Sequence, residues 1–210
     1  MHILTTLNGG HTNQTNTFSW SLLHASRTPL LETLRNQKSP DLLEATLRET
    51  GRVYTNLMML RCVTITQEIC GHVIPKGSLI AASPLVTARD PALFPEPDKF
   101  LPERWCTPAG TLDDNAIKNA QRMGTSNQFG KGQHACAGEK LGKMLLRIYW
   151  GIILGDNGEP GYDVEIVDGP VDGRGFDGVG VEAAWVEENL GTPFEKDGPV
   201  LVRFKERGKV

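Results

Sequence analysis

The residues best suited to chemistry in this sequence lie in a glycine-rich stretch around Cys136, directly ahead of an apolar segment with helical spacing. Residues 129–138 read Phe, Gly, Lys, Gly, Gln, His, Ala, Cys, Ala, Gly. A cysteine at a helix start lies near unpaired backbone N–H groups and the positive end of the helix dipole, which stabilise thiolate over thiol. Glycines on either side let the backbone approach a flat cofactor closely. A lone Gly-x-x-Cys would more often be a turn with an incidental cysteine, but the whole pattern indicates a thiolate ligand.

This stretch resembles the cysteine-loop signature of the cytochrome P450 family: Phe, two residues, Gly, one residue, Arg or His, one residue, Cys, one residue, Gly. The resemblance implies that Cys136 is the axial ligand of a haem iron (iron protoporphyrin IX), that His134 contacts a haem propionate, and that Phe129 packs beside the thiolate. A thiolate ligand pushes electron density onto iron and favours O–O cleavage. The loop residues that the resemblance assigns to the cofactor are Phe129, Gly130, Gly132, His134, Cys136 and Gly138.

Three charged residues carry a second part of the resemblance. Glu49 and Arg52 match the family's Glu-x-x-Arg pair, and Arg104 lies in a segment that matches its later Pro-Glu-Arg motif. The resemblance implies a buried ion cluster that locks the core around the cysteine loop. Alone, Glu49 and Arg52 would more often be a solvated pair on a helix surface, worth roughly a few tenths of a kcal/mol.

Arg61 resembles the family's second propionate-binding arginine, and a guanidinium suits a bidentate contact with a carboxylate. The alternative is an ordinary charge at a strand edge. Leu57, Met58 and Met59 occupy a segment that lines the substrate pocket in the family. Their apolar side chains imply a lipophilic substrate, although they would serve equally well in a core.

Residues 8–12 resemble the family's oxygen-binding motif, which is usually Ala or Gly, Gly, any residue, Asp or Glu, Thr. His11 replaces the acid, as in the sterol 14α-demethylase branch, and Asn8 replaces the small residue. The resemblance implies that Thr12 hydrogen-bonds the oxygen that is activated. His11 would help to relay protons, since imidazole titrates near neutral pH. Otherwise His11 is an ordinary helix histidine with its hydrogen bonds satisfied.

Lys140, Lys143 and Arg147 are spaced i, i+3 and i+7, so they share one face of the helix after Cys136. In the family an electron donor with an acidic surface approaches this side of the haem, and basic residues would steer it. The resemblance therefore implies docking of an NADPH-dependent reductase. A merely solvated helix face is the alternative.

The elements that would position these residues are mostly helical, with small sheets: an α+β chain that resembles the C-terminal portion of the cytochrome P450 fold, starting within its central helix. Apolar spacing predicts a helix over residues 3–26 with a distortion at Gly9 and Gly10, and start signals at Thr28 and Ser39 predict two more. We expect one partial haem-binding domain (1–210) with these regions: the central oxygen-binding helix (1–27), the helices with Glu-x-x-Arg (28–60), a small sheet (61–83), a meander (84–128), the cysteine loop with the following helix (129–154), and loops with C-terminal strands (155–210).

The last helix should run from about residue 136 to residue 154. Its apolar part, residues 144–154, is too short for a bilayer, which takes about 20 apolar residues, and it is expected to be buried. Residues 156–180 are rich in Gly and Asp and are expected to be loop, whereas residues 200–204 alternate as a closing strand.

The chain has 210 residues, 39% hydrophobic and 22% charged, which is ordinary for a globular domain. A net charge of −3 and a pI near 6.0 argue against nucleic acid as a partner. The four cysteines form no CxxC pair, so Cys62, Cys70 and Cys106 are expected to be packing residues. Cys70 and His72 without a second pair of ligands fall short of a zinc site.

The resemblance implies a haem-thiolate monooxygenase that uses O2 and two electrons from a reductase to oxidise a lipophilic substrate: a sterol, a fatty acid or a secondary metabolite. For a full-length parent it implies the cytoplasmic face of the endoplasmic reticulum membrane, reached through an anchor that we expect upstream of Met1. The alternatives are a truncated, non-catalytic haem-binding remnant, or a member that rearranges oxidised lipids without O2. Such members tend to lack the threonine that Thr12 matches.

Overall fold

The structure, a computed structural model, describes residues 2–54, 59–124, 129–155, 160–168, 194–195, 198–199 and 201–208. For residues 2–9, 11, 12, 167, 168, 194, 195, 198, 199 and 201 the description covers the backbone. The α-helices in these ranges are α1 (His2–Ser26), α2 (Leu30–Gln37), α3 (Pro40–Tyr54), α4 (Pro84–Ala88), α5 (Asp114–Arg122) and α6 (Glu139–Leu154). Two short 3-10 helices are Pro102–Trp105 and Gly132–His134.

The strands form small antiparallel pairs. They are β1 (Met59–Cys62) with β4 (Leu79–Ala82), β2 (Gln67–Ile69) with β3 (His72–Ile74), β5 (Tyr162–Asp168) with β8 (Leu201–Glu206), and β6 (Phe194–Glu195) with β7 (Gly198–Pro199). Helices with small sheets confirm the predicted α+β class. The strand β5 lies where we expected loop, and that expectation was wrong because β8, distant in sequence, supplies its hydrogen-bonding partner.

Helix starts follow the predicted signals. The Ser39 hydroxyl accepts the Leu42 N–H at 3.2 Å at the start of α3, and the Thr28 hydroxyl accepts the Leu30 N–H at 3.3 Å before α2. The helix α1 runs unbroken for 25 residues, so the distortion predicted near Gly10 is not found. A helical glycine costs about 1 kcal/mol but removes no hydrogen bond, and so it need not break the helix.

The core is built around α1, which packs against both α3 and α6. Its largest fully buried side chains include Trp20, Trp105 and Trp150. One group of buried residues joins α1 to α3: Trp20, Leu23, Val53, Tyr54 and Phe100. A second joins α1 to α2, α3 and α6: Leu22, Ala25, Leu31, Leu34, Leu47, Leu146, Trp150 and Ile153. The elements with predicted chemical roles therefore share one core.

The helix α6 is buried on one side. Leu146, Trp150 and Ile153 face the core, whereas Met144, Ile148 and Ile152 are about half exposed. The prediction that this stretch is a buried helix was therefore wrong for one face. The exposed residues recur every four positions, which places them along one stripe.

Candidate functional site

Backbone hydrogen bonds close the cysteine loop. The Phe129 carbonyl accepts the Cys136 N–H at 2.7 Å, and the Gly132 carbonyl accepts the Ala135 N–H at 3.1 Å. Gly130 and Gly132 have φ of 70° and 67°, in the left-handed region that favours glycine. A Cβ on Gly130 would also lie 3.0 Å from the His134 carbonyl oxygen. These two glycines are what allows the chain to fold back ahead of the cysteine.

Cys136 lies just before α6 and not within it as predicted, because the helix begins at Glu139. Its thiol is exposed, and a Cβ on Gly138 would lie 3.7 Å from Sγ. Gly138 caps α6 without a side-chain hydrogen bond, so the first-turn N–H groups are not paired with a capping side chain. The sulfur is therefore accessible and lies near the positive end of a helix dipole.

The other cysteines differ from the expected packing role. Cys62 and Cys70 are exposed, which makes that prediction wrong for both, and Cys106 is half-buried. Cys70 has φ of 51° in the turn of the hairpin β2–β3, where a cysteine is unusual. Burial, with the nearby carboxylates of Glu103 and Asp41, raises the pKa of the Cys106 thiol. Within the described ranges no group of three His, Cys, Asp or Glu side chains is arranged to hold a metal ion.

Two candidate propionate contacts are exposed. His134 lies in the 3-10 turn before Cys136, and Arg61 lies on β1, where its side chain donates to the Leu60 carbonyl at 2.7 Å. In the described part of the chain neither forms a salt bridge, so both side chains can meet an incoming carboxylate.

The buried ion cluster predicted from Glu49, Arg52 and Arg104 is confirmed. Arg52 makes a bidentate contact with Glu49, with distances of 2.9 Å and 2.8 Å, and Arg104 Nε donates to Glu49 Oε1 at 2.9 Å. Glu49 also accepts from Trp105 Nε1 at 2.9 Å and from the Leu101 N–H at 2.9 Å. Five donors thus surround a carboxylate that has no exposed surface, which offsets the cost of burying its charge.

The two arginines of this cluster also donate hydrogen bonds to backbone carbonyls at the end of α4 and in the segment that follows it. Arg52 donates to the carbonyls of Ala88 and Pro97 at 2.8 Å each. Arg104 donates to the Pro95 carbonyl at 3.1 Å. The described contacts of the cluster go to this segment. None of them reaches the cysteine loop.

The predicted basic face of α6 is partly engaged in internal ion pairs. Arg147 reaches the buried carboxylate of Glu44 at 3.1 Å, which also pairs with Arg48 at 2.9 Å. Lys143 pairs with Glu139 at 2.6 Å and lies 5.3 Å from the centre of the Phe129 ring. An open groove of about 800 Å³ follows these residues and the apolar stripe of α6.

The residues 8–12 of the predicted oxygen-binding motif belong to α1. The side chains of His11 and Thr12 lie outside the part that the structure describes, so their roles stay predictions. Leu57 and Met58 of the predicted pocket segment also lie outside the described residues. No helix among the described residues is long and apolar enough to cross a membrane.

Sequence reasoning missed a buried polar pair between α1 and α3. His24 Nε2 and the Tyr54 hydroxyl are 2.5 Å apart. His24 stacks on Phe100 with ring centres 4.1 Å apart, and Trp20 stacks on Tyr54 at 3.9 Å. Burial raises the pKa of Tyr54 well above its ordinary value, although the charge of Arg89 opposes this. The one available signal was a histidine on the apolar side of α1.

The chain matches one protein-family model and is similar to several known proteins. The family model described as cytochrome P450 matches residues 1–156. The chain is 34% identical over 181 residues to a lanosterol 14-alpha demethylase of Cunninghamella elegans, covering 70% of the chain and 35% of that relative. It is 32% identical over 148 residues to a cytochrome P450 monooxygenase of Aspergillus violaceofuscus, covering 65% and 30%. It is 28% identical over 179 residues to a sterol 14alpha-demethylase of Mycolicibacterium vanbaalenii, covering 77% and 37%. The chain thus spans about a third of the length of these relatives.

Proposed function

The chain belongs to the cytochrome P450 family, and from that premise we propose that it is the haem-binding part of a monooxygenase that oxidises a small lipophilic substrate with O2 and reductase-derived electrons. The observation that carries the proposal is the cysteine loop. Two internal backbone hydrogen bonds close it, and its one thiol is exposed ahead of a helix start without a side-chain cap. These residues fit the cofactor of the family, a haem held by a cysteine thiolate.

In this proposal Cys136 holds the iron, and the exposed side chains of His134 and Arg61 bind the two propionates. Phe129, whose carbonyl accepts the Cys136 N–H at 2.7 Å, would pack its ring beside the thiolate. The haem, when bound, supplies the redox chemistry by which one atom of O2 enters the substrate and the other leaves as water. Gly130, like Gly132 and Gly138, keeps side chains away from the loop backbone so that a flat group can lie against it.

The helix α1 would serve the oxygen side of the site. Thr12 would donate a hydrogen bond to the oxygen, and His11, one residue before it, would deliver protons from solvent. The pair of His and Thr at these positions supports the proposal, because it matches the motif of the sterol 14α-demethylase branch.

The substrate class is inferred from apolar residues and from the relatives. Met59, the described residue of the segment proposed to line the pocket, lies at the start of β1. Two of the relatives are named for the demethylation of sterols. We place a sterol first, ahead of a fatty acid or a secondary metabolite.

The electron donor would be an NADPH-dependent reductase that approaches the basic face of α6. Lys140 is exposed there, and Arg147 keeps 59% of its side-chain surface exposed despite its ion pair. Positive charge on this face would steer an acidic partner. For the parent protein we infer the cytoplasmic face of the endoplasmic reticulum membrane.

The test is turnover of lanosterol and of lauric acid by the haem-loaded chain, with the reductase and NADPH present or withheld. Oxidised product that requires the reductase, and that is lost in Cys136→Ser, supports the proposal. A fatty acid hydroperoxide that is rearranged with the reductase withheld, together with no oxidation of lanosterol or lauric acid when it is present, contradicts the proposal and indicates a member that rearranges oxidised lipids.

A second candidate is a haem-binding remnant without catalytic activity. It is favoured by the exposed apolar stripe on α6, where Met144, Ile148 and Ile152 are 51%, 48% and 55% exposed. Contiguous exposed apolar surface marks a face that other protein usually covers. Haem uptake with no turnover of any substrate, with the reductase present, would favour this candidate.

A further inference from the structure

The side-chain amide of Gln14 in α1 occupies the space above Gly142 in α6. A Cβ on residue 142 would lie 2.5 Å from Gln14 Nε2 and 4.0 Å from Cε1 of Phe129. A real Cβ cannot approach a nitrogen that closely, so a side chain at position 142 requires the amide of Gln14 to leave the place it occupies. The two residues are complementary in size.

Gln14 and Gly142 each lower the stability of the fold when considered within their own helices. The Oε1 atom of Gln14 is buried without a hydrogen-bond partner among the described residues, and an unpaired buried oxygen lowers stability. Gly142 is buried within α6, where glycine destabilises a helix relative to alanine. Neither residue stabilises its own helix. The contact between them is the structural reason that the two positions have in common.

The contact is one end of a continuous interface between α1 and α6. Four and seven residues after Gln14, on the same side of α1, Phe18 packs edge-on against Trp150 with ring centres 6.1 Å apart, and the Ser21 hydroxyl accepts from Trp150 Nε1 at 3.1 Å. Gln14 also lies within one helical turn of positions 11 and 12. A shift of α1 at Gln14 would therefore move those positions too.

The other end of the contact leads to the cysteine loop. The Gly142 N–H donates to the Gly138 carbonyl at 2.8 Å, and a Cβ on Gly138 would lie 3.7 Å from Cys136 Sγ. Gly142 is thus one helical turn beyond the residue that borders the sulfur. It also lies beside Phe129, whose carbonyl holds the Cys136 N–H.

We propose that Gln14 is a positioning residue whose amide, seated on Gly142, sets the separation between helix α1 and the cysteine loop. This inference rests on the proposed function, because it relates the helix that carries His11 and Thr12 to the cysteine that would bind haem. Gly142 is the matching half of the contact.

The first test is a double-mutant cycle in urea unfolding of the haem-free chain. Gly142→Ala lowers the folding equilibrium constant when Gln14 is present, because the new methyl group meets the amide. In a Gln14→Ala background the same change raises that constant about fivefold, the ordinary gain of alanine over glycine inside a helix. Gly10→Ala is the matched control: within the part of the chain that the structure describes nothing lies within 4 Å of the position of its Cβ, so it stabilises both backgrounds alike. Equal effects of Gly142→Ala in both backgrounds would overturn the contact.

The second test separates positioning from stability. The chain and its variants are loaded with haem, reduced under carbon monoxide, and scored for the fraction with a thiolate-type Soret band. Gly142→Ala lowers this fraction, and adding Gln14→Ala restores it. Leu34→Ala, a core change between α2 and its neighbours, lowers the urea midpoint but leaves the fraction unchanged.

The results that would overturn the positioning role of Gln14 differ from those that would overturn the proposed function. A thiolate fraction that follows the urea midpoint in all variants, Leu34→Ala included, overturns the positioning role. A parent chain that takes up no haem overturns the proposed function and the positioning role together. The contact between Gln14 and Gly142 is judged by the haem-free cycle alone.

Discussion

Arg104 donates from Nε to Oε1 of Glu49 across 2.9 Å, although the two residues are 55 positions apart in the chain. The same carboxylate holds Arg52 through two hydrogen bonds and accepts from the indole of Trp105. The pair therefore joins α3 to the chain after α4, with Glu49 fully buried and Arg104 12% exposed. Removing the charge of one partner leaves the others buried and uncompensated.

We predict that Glu49→Gln lowers the free energy of unfolding by about 3–5 kcal/mol, because it leaves two arginines unpaired in the core. Urea unfolding followed by tryptophan fluorescence measures this change. The matched control is Glu165→Gln, whose carboxylate pairs with Arg203 at 3.0 Å but is 65% exposed. That change should alter stability by no more than about 1 kcal/mol. Similar losses in both variants would show that the Glu49 cluster adds no stability.

Tyr54 should make the stability of the chain depend on alkaline pH. Burial raises its pKa well above the ordinary value of 10.0, with Arg89 opposing the shift. The folded state therefore keeps the phenol proton where the unfolded chain has lost it. The stability from this group is full below the unfolded pKa and falls as pH rises from there through the folded pKa.

Tyr54→Phe removes this titration along with the contact to His24. The variant should be less stable at neutral pH by about 1–3 kcal/mol, because the hydrogen bond between the buried imidazole and the Tyr54 hydroxyl is lost. Its stability should then fall less steeply than that of the parent above pH 10, the ordinary tyrosine value. Urea midpoints across this range decide the matter, and parallel curves for parent and variant would contradict the prediction.

The two left-handed glycines of the cysteine loop should respond differently to alanine. Both substitutions strain the backbone by roughly 1–2 kcal/mol. Gly130→Ala should cost more, since its Cβ would lie 3.0 Å from the His134 carbonyl oxygen, whereas no described residue lies within 4 Å of a Cβ on Gly132. Thermal unfolding and haem titration measure the two effects. An equal loss of haem affinity in both variants would argue against this contact.

Charge reversal on the basic face of α6 should weaken the binding of the reductase. Lys140→Glu keeps the helix, because Lys140 is exposed, but it should slow reduction about tenfold at low salt and less at high salt. Stopped-flow reduction of the haem measures the rate. Lys76→Glu, at an exposed turn between β3 and β4, is the control and should reduce at the parental rate. Equal rates for both variants would rule out docking at this face.

Local spacing was enough to predict the cysteine loop, because its glycines and its cysteine lie within ten consecutive positions, 129–138, directly ahead of the helix α6. The cluster of Glu49 and Arg104 was predicted through the resemblance to the family, because the spacing of Glu49 and Arg52 alone favours a solvated pair on a helix surface. The additional donors to Glu49, the indole of Trp105 and the Leu101 N–H, depend on how two distant segments pack. Sequence spacing carries no information about such a contact.

Other features could not be read from local pattern. His24 and Tyr54 are 30 positions apart, and each is unremarkable within its own helix. The strand β5 did carry a signal, because Tyr162, Val164 and Ile166 alternate with charged residues, but the Gly- and Asp-rich sequence around them favoured loop. Its partner β8 is what makes it a strand.

The most direct test of the central claim is the carbon monoxide difference spectrum of the reduced, haem-loaded chain beside Cys136→Ala and Cys62→Ala. Both cysteines are exposed, so the two substitutions are matched. The account predicts a thiolate-type Soret band in the parent and in Cys62→Ala, and none in Cys136→Ala. A band that survives in Cys136→Ala, or a parent that binds no haem, would contradict it.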